Sequence, residues 1–508
     1  MHKLMLTKTV MLRCFEMLQS KRLRMLLATL AILLMLLGIG CLTVTLLFNK
    51  LFYRMLSNYL VLLPDSEFFK TWSKPSVPIY FSVYLYNLTN PTDVLDGDRP
   101  HFSIVGPYVY RERRQTNVVG WSDEPVPKSV FYKSRTFYHF VPELSASSDR
   151  LGKVTSLNMP YLKSKELFEP FVTLSPREVL WEHRPMLLQF AGFFGFPTNA
   201  AILASFNGTE GDVIGIDTGA RDVNEIGQIR SVNGKNKLKA WDYDEANRIV
   251  GTDGSLAPPY LDVGSILDVY VRDVCRTFRI QSNKRQPARN NQDVDIIVFS
   301  AFPFNQTDPH LSLRERMYCK NGMNCGPVGM VSARPCLVSK GTDFPLYFSK
   351  PYFLDVDPSV KAKFDGIPDA HAETHDTSIH IEPTTGLVLE ANKRIQFNFL
   401  LENDNEMLRH INGPFYFPVA WVDESVVADK ENLDLLYSRV LQPKRIIPFV
   451  ASVFALFFVL LSLTIFAALV TFARARVVYS LSKTNDLRSP TSSTHTSSSS
   501  CPTEFEWD

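Results

Sequence analysis

MLLATLAILLMLLGIGCLTVTLLF, from Met25 to Phe48, carries no charged residue, and IIPFVASVFALFFVLLSLTIFAALVTF, from Ile446 to Phe472, repeats that texture near the other end of a 508-residue chain. At about 1.5 Å of rise per residue, each run outlasts the roughly 30 Å hydrocarbon core of a bilayer and can span it once with length left for tilt. The first is far longer than the roughly 7 to 15 apolar residues of a secretory signal, and no A-x-A site closes it, so it reads as a retained anchor. So long an uncharged run as the second is unusual inside a soluble domain. The fold is therefore decided by two helical spans with a large domain between them.

Orientation follows from the basic residues, which resist translocation. Lys3, Lys8, Arg13, Lys21, Arg22 and Arg24 stand against Glu16 before the first span, and Arg474, Arg476, Lys483 and Arg488 follow the second. Both ends are expected to be cytoplasmic. The sequons at Asn87 (NLT), Asn207 (NGT) and Asn305 (NQT) agree, because all fall between the spans. The chain then divides into a cytoplasmic N-tail (1–24), transmembrane helix (25–48), extracellular or lumenal domain (49–445), transmembrane helix (446–472) and cytoplasmic Ser-rich C-tail (473–508). Charges in the middle segment nearly balance, which excludes the strongly basic footprint of a nucleic-acid binder.

Between the spans the texture is of short β-rich runs broken by Gly, Pro, Asn and Asp. VPIYFSVYLYNL (77 to 88), HFSIVGPYVYRE (101 to 112), SVFYKSRTFYHFV (129 to 141), DVDIIVFSAF (293 to 302) and RIQFNFLL (394 to 401) are the clearest. Ile395, Phe397 and Phe399 alternate with Gln396 and Asn398 as a half-buried strand requires, and a large antiparallel sheet or barrel is expected. The section from about 149 to 196 reads differently. Ser175-Pro176-Arg177-Glu178 forms a capping box that starts a helix, broken near Pro185. LNMPYLKSKELFEPFV before it reads as a second short amphipathic helix after Pro160, so a projecting helical cap is expected.

With the topology decided, Cys275, Cys319, Cys325 and Cys336 lie in an oxidising compartment and are expected to pair, in one of three ways. Zinc is a weaker reading, since His310 is near but the C-x5-C-x10-C spacing holds no C-x2-C pair. His371, His375 and His380 lie among Asp369, Glu373 and Asp376, yet their order is not H-E-x-x-H. A polar loop leading into a strand, with histidines able to sense endosomal pH, is the plainer reading. No G-x-S-x-G elbow, Walker loop or G-x-G-x-x-G after a strand is present, so no metal, cofactor or enzymatic step is expected.

Five runs, in order across the middle segment, resemble the class B scavenger receptor family. They are GPYVYRE (106 to 112), WDYDEANRIVGTDGSLAPPYL (241 to 261), VRDVCRTF (271 to 278), FSKPYFLDVDPSV (348 to 360) and HDTSIHIEPTTGLVLEANKRIQFN (375 to 398). The resemblance, closest to insect-type members, implies an α+β membrane protein: two transmembrane helices in hairpin topology flank a large antiparallel β-barrel-like ectodomain with a helical apex and an internal apolar tunnel. It implies a cell-surface receptor that binds lipids, lipoproteins or anionic and apoptotic surfaces at the apex. Lipid (fatty acid, sterol or carotenoid) would then pass through the tunnel, sparing about 0.8 kcal/mol of exposed surface per CH2. Lys163 and Lys165 of the KSK run resemble the apex lysines that meet anionic lipid. The resemblance also implies the pairs Cys275–Cys336 and Cys319–Cys325, which close a long loop and a tight one.

Cys14 is the one candidate for palmitoylation beside a span, and the tail, ending CPTEFEWD, lacks an acidic dileucine. A plasma-membrane address is thus expected, with an endosomal or lysosomal membrane as the alternative. Phagocytic or adhesive recognition without transport, and a two-span ion-channel subunit, are the competing functions. Homo-oligomers are compatible with the sequence, although Gly38 and Gly40 do not make a G-x-x-x-G face.

Overall fold

The computed structural model describes residues 20–193, 197–300, 313–319, 326–401 and 414–486. Cys14, Asn305, His310 and Cys325 lie outside these residues. The chain divides into two units, Met1–Phe52 with Pro443–Asp508, and Tyr53–Gln442.

In the first unit, the helices Lys21–Tyr59 and Gln442–Asp486 are long and apolar enough to cross a membrane, which makes this a two-span protein. They pack through small residues. A Cβ on Gly38 would fall 2.7 Å from Val459 Cγ2, and the buried Ser462 hydroxyl donates to the Ala31 carbonyl at 2.7 Å. Between apolar helices in lipid, close backbone approach and such hydroxyl bonds supply the attraction.

The second unit is built on strands β1 (Ile79–Leu88), β2 (Phe102–Trp121), β3 (Ser129–Phe140), β4 (Val154–Leu157), β5 (Phe171–Leu174), β6 (Ile214–Asp217), β7 (Ile229–Val232), β8 (Ile266–Val271), β9 (Arg276–Ala288), β10 (Asn291–Ser300), β11 (Val331–Ser332), β12 (Leu346–Ser349), β13 (Ser378–Ile381), β14 (Val388–Leu401) and β15 (Phe415–Val427). All but β4 and β5 form one antiparallel sheet, in the order β7-β6-β3-β2-β1-β15-β14-β13-β10-β9-β8, with β11 and β12 attached at β14. Alternation assigns the faces. Phe81, Val83 and Leu85 of β1 meet Tyr108 and Tyr110 of β2, Phe278 of β9, Phe348 of β12, Phe397 of β14 and Val422 of β15 in one cluster. Strands from across the sheet share that cluster, so its face is the inside of a barrel-like sheet.

Closure is made by a loop. The outermost strands β7 and β8 are joined through Gly251 and Thr252: Ile229 N–H donates to the Gly251 carbonyl at 2.9 Å, and Thr252 N–H donates to the Asp268 carbonyl at 3.0 Å. Tyr270 N–H returns a bond to the Thr252 carbonyl at 2.8 Å. This seam lies within the run 241 to 261, one of the five that carry the family resemblance.

The outer face of β1 is covered by the segment 351–364. Tyr86, Leu88, Phe102, Phe417 and Trp421 pack against Tyr352, Phe353 and Phe364. Under this cover runs a buried polar chain. Tyr86 O–H and Tyr352 N–H both donate to Gln396 Oε1, Gln396 Nε2 donates to Asn398 Oδ1, and Asn398 Nδ2 donates to Ser349 Oγ. Beside it the buried Lys350 ammonium lies 2.7 Å from Asp355 and 2.9 Å from Asp376.

A disulfide joins Cys275, at the start of β9, to Cys336 in the short helix Arg334–Ser339, with Cα atoms 5.3 Å apart. Trp241 Nε1 donates to the Cys275 carbonyl at 2.8 Å. The neighbouring Arg276, buried and paired with Glu315, lies between the rings of Phe278 and Tyr318, 4.8 and 4.3 Å from their centroids. Cys319 is disulfide-bonded as well.

Candidate functional site

The segment from Asp149 to Phe193 is a two-stranded ribbon followed by broken helical turns. β4 and β5 pair along their length, and the loop between them is pinned at its base: Asn158 N–H donates to the Pro170 carbonyl, and Asn158 Nδ2 to that of Glu169. The second amphipathic helix expected after Pro160 does not form. Met159–Leu162 makes a single 3-10 turn, capped by Lys163 N–H on the Pro160 carbonyl. Proline favours the first turn of a helix, but the strand partner that must follow at Phe171 leaves the chain no length to continue it. Lys163 and Lys165 therefore sit in a loop. Lys163 is exposed, its ammonium 5.2 Å from the centre of the Phe344 ring, and Lys165 is half-buried.

The capping box at Ser175 forms as expected. Ser175 N–H and Oγ–H both donate to Glu178 Oε2, and Glu178 N–H returns to Ser175 Oγ. These bonds hold the Glu178 carboxyl below its usual range. The turn buries Val179, Leu180 and Trp181, breaks before Pro185, and resumes as Met186–Gly192. Met186, Phe190 and Phe193 are exposed, the last at 85%, and Arg184 beside them is exposed too. Large apolar side chains left in water next to cations are what an amphiphile's tail and anionic head can use.

Below Trp181 the inside of the barrel is walled by aromatic rings. Trp181 lies 5.0 Å from Tyr138 and 5.3 Å from Tyr110, and Phe81 lies 4.9 Å from Tyr138. Two residues further along the same faces come Glu112, Arg114, Lys393 and Glu424. Arg114 Nε donates to Glu112 Oε1 at 2.5 Å and its NH2 group to Glu424, while Lys393 lies 3.6 Å from the other Glu424 oxygen. Burial and the Glu424 charge raise the Glu112 pKa against the pull of Arg114 and Lys393. The sequence reading passed over this quartet. Its signal was there: in YRER (110 to 113) and NKRIQF (392 to 397), Glu112 and Lys393 keep step with Tyr110 and Ile395.

The three histidines separate. His380 lies 3.5 Å from Glu390 across the β13–β14 pair, and this contact holds the Glu390 carboxyl below its usual range. His375 packs on Tyr352 and Trp421, with ring centroids 4.8 and 5.9 Å away, and its Nδ1 accepts from His371 N–H at 2.9 Å. Among the described residues no group of three or more His, Cys, Asp or Glu side chains is placed to hold a metal ion. Burial, with the charges of Arg394 and His371, lowers the His375 pKa despite that backbone bond. A depressed imidazole resists protonation only while folded, so stability falls as pH drops from about 6.5 through the folded pKa. An NMR titration of the His375 ring should therefore give a midpoint below that of a free histidine. A midpoint at or above that value would show the ring to be open to solvent.

Of the two described sequons, Asn207 is exposed. Asn87 is half-buried with both ends of its amide engaged, by Ser103 Oγ and Thr155 N–H.

Comparison with known proteins is consistent with this architecture. A model of the CD36 family matches residues 29–471. The chain is 28% identical over 455 residues to sensory neuron membrane protein 1 of Helicoverpa armigera, covering 79% of this chain and 83% of that protein. It is 28% identical over 416 residues to human lysosome membrane protein 2, covering 77% and 84%. Scavenger receptor class B member 1 of Sus scrofa is 26% identical over 408 residues, covering 75% and 77%.

Proposed function

The chain belongs to the CD36 family, and we propose on that footing that it is a cell-surface scavenger receptor whose 149–193 segment captures lipids, lipoproteins or other anionic surfaces and passes lipid into the barrel. The observation that carries this reading is one segment bearing the lysine loop at Lys163 and Lys165 and the exposed apolar helix Met186–Gly192, with its Trp181 packed into the aromatic interior. Cations there steer and orient an anionic head, and the apolar side chains take up tail surface. No chemical step is assigned. The asparagines carry glycans in this reading, Asn207 being the better presented of the two described, and Cys14 carries an acyl chain.

Binding of the full-length protein to phosphatidylserine vesicles tests the capture step. Changing Lys163 and Lys165 together to Ala is expected to weaken it about three- to tenfold at low salt, and less at high salt, because exposed charges are worth roughly 0.2–1 kcal/mol each and are screened. Unchanged affinity at low salt would remove the lysines from the site. Recognition without transport is the second reading, favoured by the exposure of that segment whatever lies beneath it. Ile395→Trp, at a half-buried inward position, separates the two. Transport predicts that vesicle binding survives while uptake of fluorescent lipid is lost; pure recognition predicts that neither changes.

A further inference from the structure

Inside the barrel, Glu112 has one oxygen on Arg114, while its other oxygen, Oε2, is buried and has no hydrogen-bond partner. A buried acceptor left without a donor costs roughly 1–3 kcal/mol, and more when charged. Space remains beside it: the Arg114 and Lys393 side chains, though they share the inward face, keep 39% and 46% of their surface accessible. The wall next to that space is apolar, formed by Phe81, Tyr138 and Ile395.

The charges decide what fits. Arg114 is already shared between Glu112 and Glu424, and Lys393 is set against Glu424. Two cations thus meet two carboxylates, and none is left for a third anion. A fatty acid would place its carboxylate beside two others in a site shielded from water, whereas a hydroxyl brings the donor that Glu112 Oε2 lacks and no charge. Asp253 and Asp273 add further negative potential at Arg114 and Lys393.

We propose that the barrel interior holds a site for long-chain alcohols, whose hydroxyl donates to Glu112 Oε2 while the tail lies along Phe81, Tyr138 and Trp181. The site prefers the alcohol to the acid of the same chain length. This rests on the reading that lipid enters the barrel, and it names the lipid class that is retained there.

The test is competition against labelled 1-hexadecanol on the full-length protein in nanodiscs, with 1-hexadecanol, palmitate and hexadecyl methyl ether as competitors. In the wild type the alcohol is expected to compete at concentrations at least tenfold below either of the others. In E112Q the amide oxygen can keep Arg114 and the amide N–H2 then faces the site, so alcohol and ether should converge to within about threefold. Equal competition by alcohol and ether in the wild type would overturn the site while leaving lipid entry standing. No specific binding of the labelled alcohol, with palmitate binding retained, would do the same. Failure of all three lipids to bind would overturn lipid entry as well. Should E112Q not fold, the wild-type ratio of alcohol to ether decides alone.

Discussion

Serine at both Cys275 and Cys336 is expected to lower the stability of the ectodomain by about 4 kcal/mol, the loop-closure value for a bridge of 61 residues in sequence separation. The loss falls on one corner of the barrel. The bridge fixes the turn between β8 and β9 to the helix Arg334–Ser339, and Trp241, Arg276 and Tyr318 are packed around it. Arg276 and Glu315 form a buried ion pair, and such a pair tolerates loosening badly, because a partner left behind is a buried unpaired charge. Denaturant unfolding of the full-length protein in detergent, followed by tryptophan fluorescence, measures the loss. A change below about 0.5 kcal/mol would mean that packing around Trp241, and not the covalent link, holds this corner.

The second large effect is expected at the seam. Gly251 has φ +108°, and a Cβ placed on it would lie 2.2 Å from the Asp268 carbonyl oxygen and 2.6 Å from its carbon. Backbone atoms cannot rotate away as a side chain can, so even Gly251→Ala should cost roughly 2–5 kcal/mol from left-handed strain and overpacking together. Gly264→Ala is the control. Its φ is +92°, but nothing lies within 4 Å of the added carbon, so it should lose only the conformational part, about 1 kcal/mol. Limited proteolysis that cut Gly251→Ala and Gly264→Ala at the same rate would show that the seam does not bear on closure.

Much of the fold was legible because its signals are local. Two uncharged runs of bilayer length gave the spans, and alternation found β1, β3 and the ends of β2, β10 and β14. What escaped has physical reasons. β15 contains Pro418, which argues against an interior strand, yet it lies between β1 and β14; the ladder with β14 shifts at this position, so Pro418 sits at an irregularity. The run after Pro160 has a helical pattern of apolar residues, and strand pairing at either end overrode it. The lysines of the candidate site were visible as a motif, whereas Glu112, Arg114, Lys393 and Glu424 were not. Charged residues continuing a strand read as its exit into water, and only the curvature of the sheet turns that face inward.

The buried polar chain from Tyr86 to Ser349 has a consequence for how this sequence can drift. Gln396→Leu alone would strand Tyr86 O–H, Tyr352 N–H and Asn398 Oδ1 at one stroke. A later Tyr86→Phe would then be nearly free, although it is costly in the present background. Substitutions here are therefore epistatic: their effects depend on order, and a wholly apolar replacement can be as stable as the original while every single step toward it is worse. The covering segment is held in place by a barrier between sequences as much as by the bonds themselves.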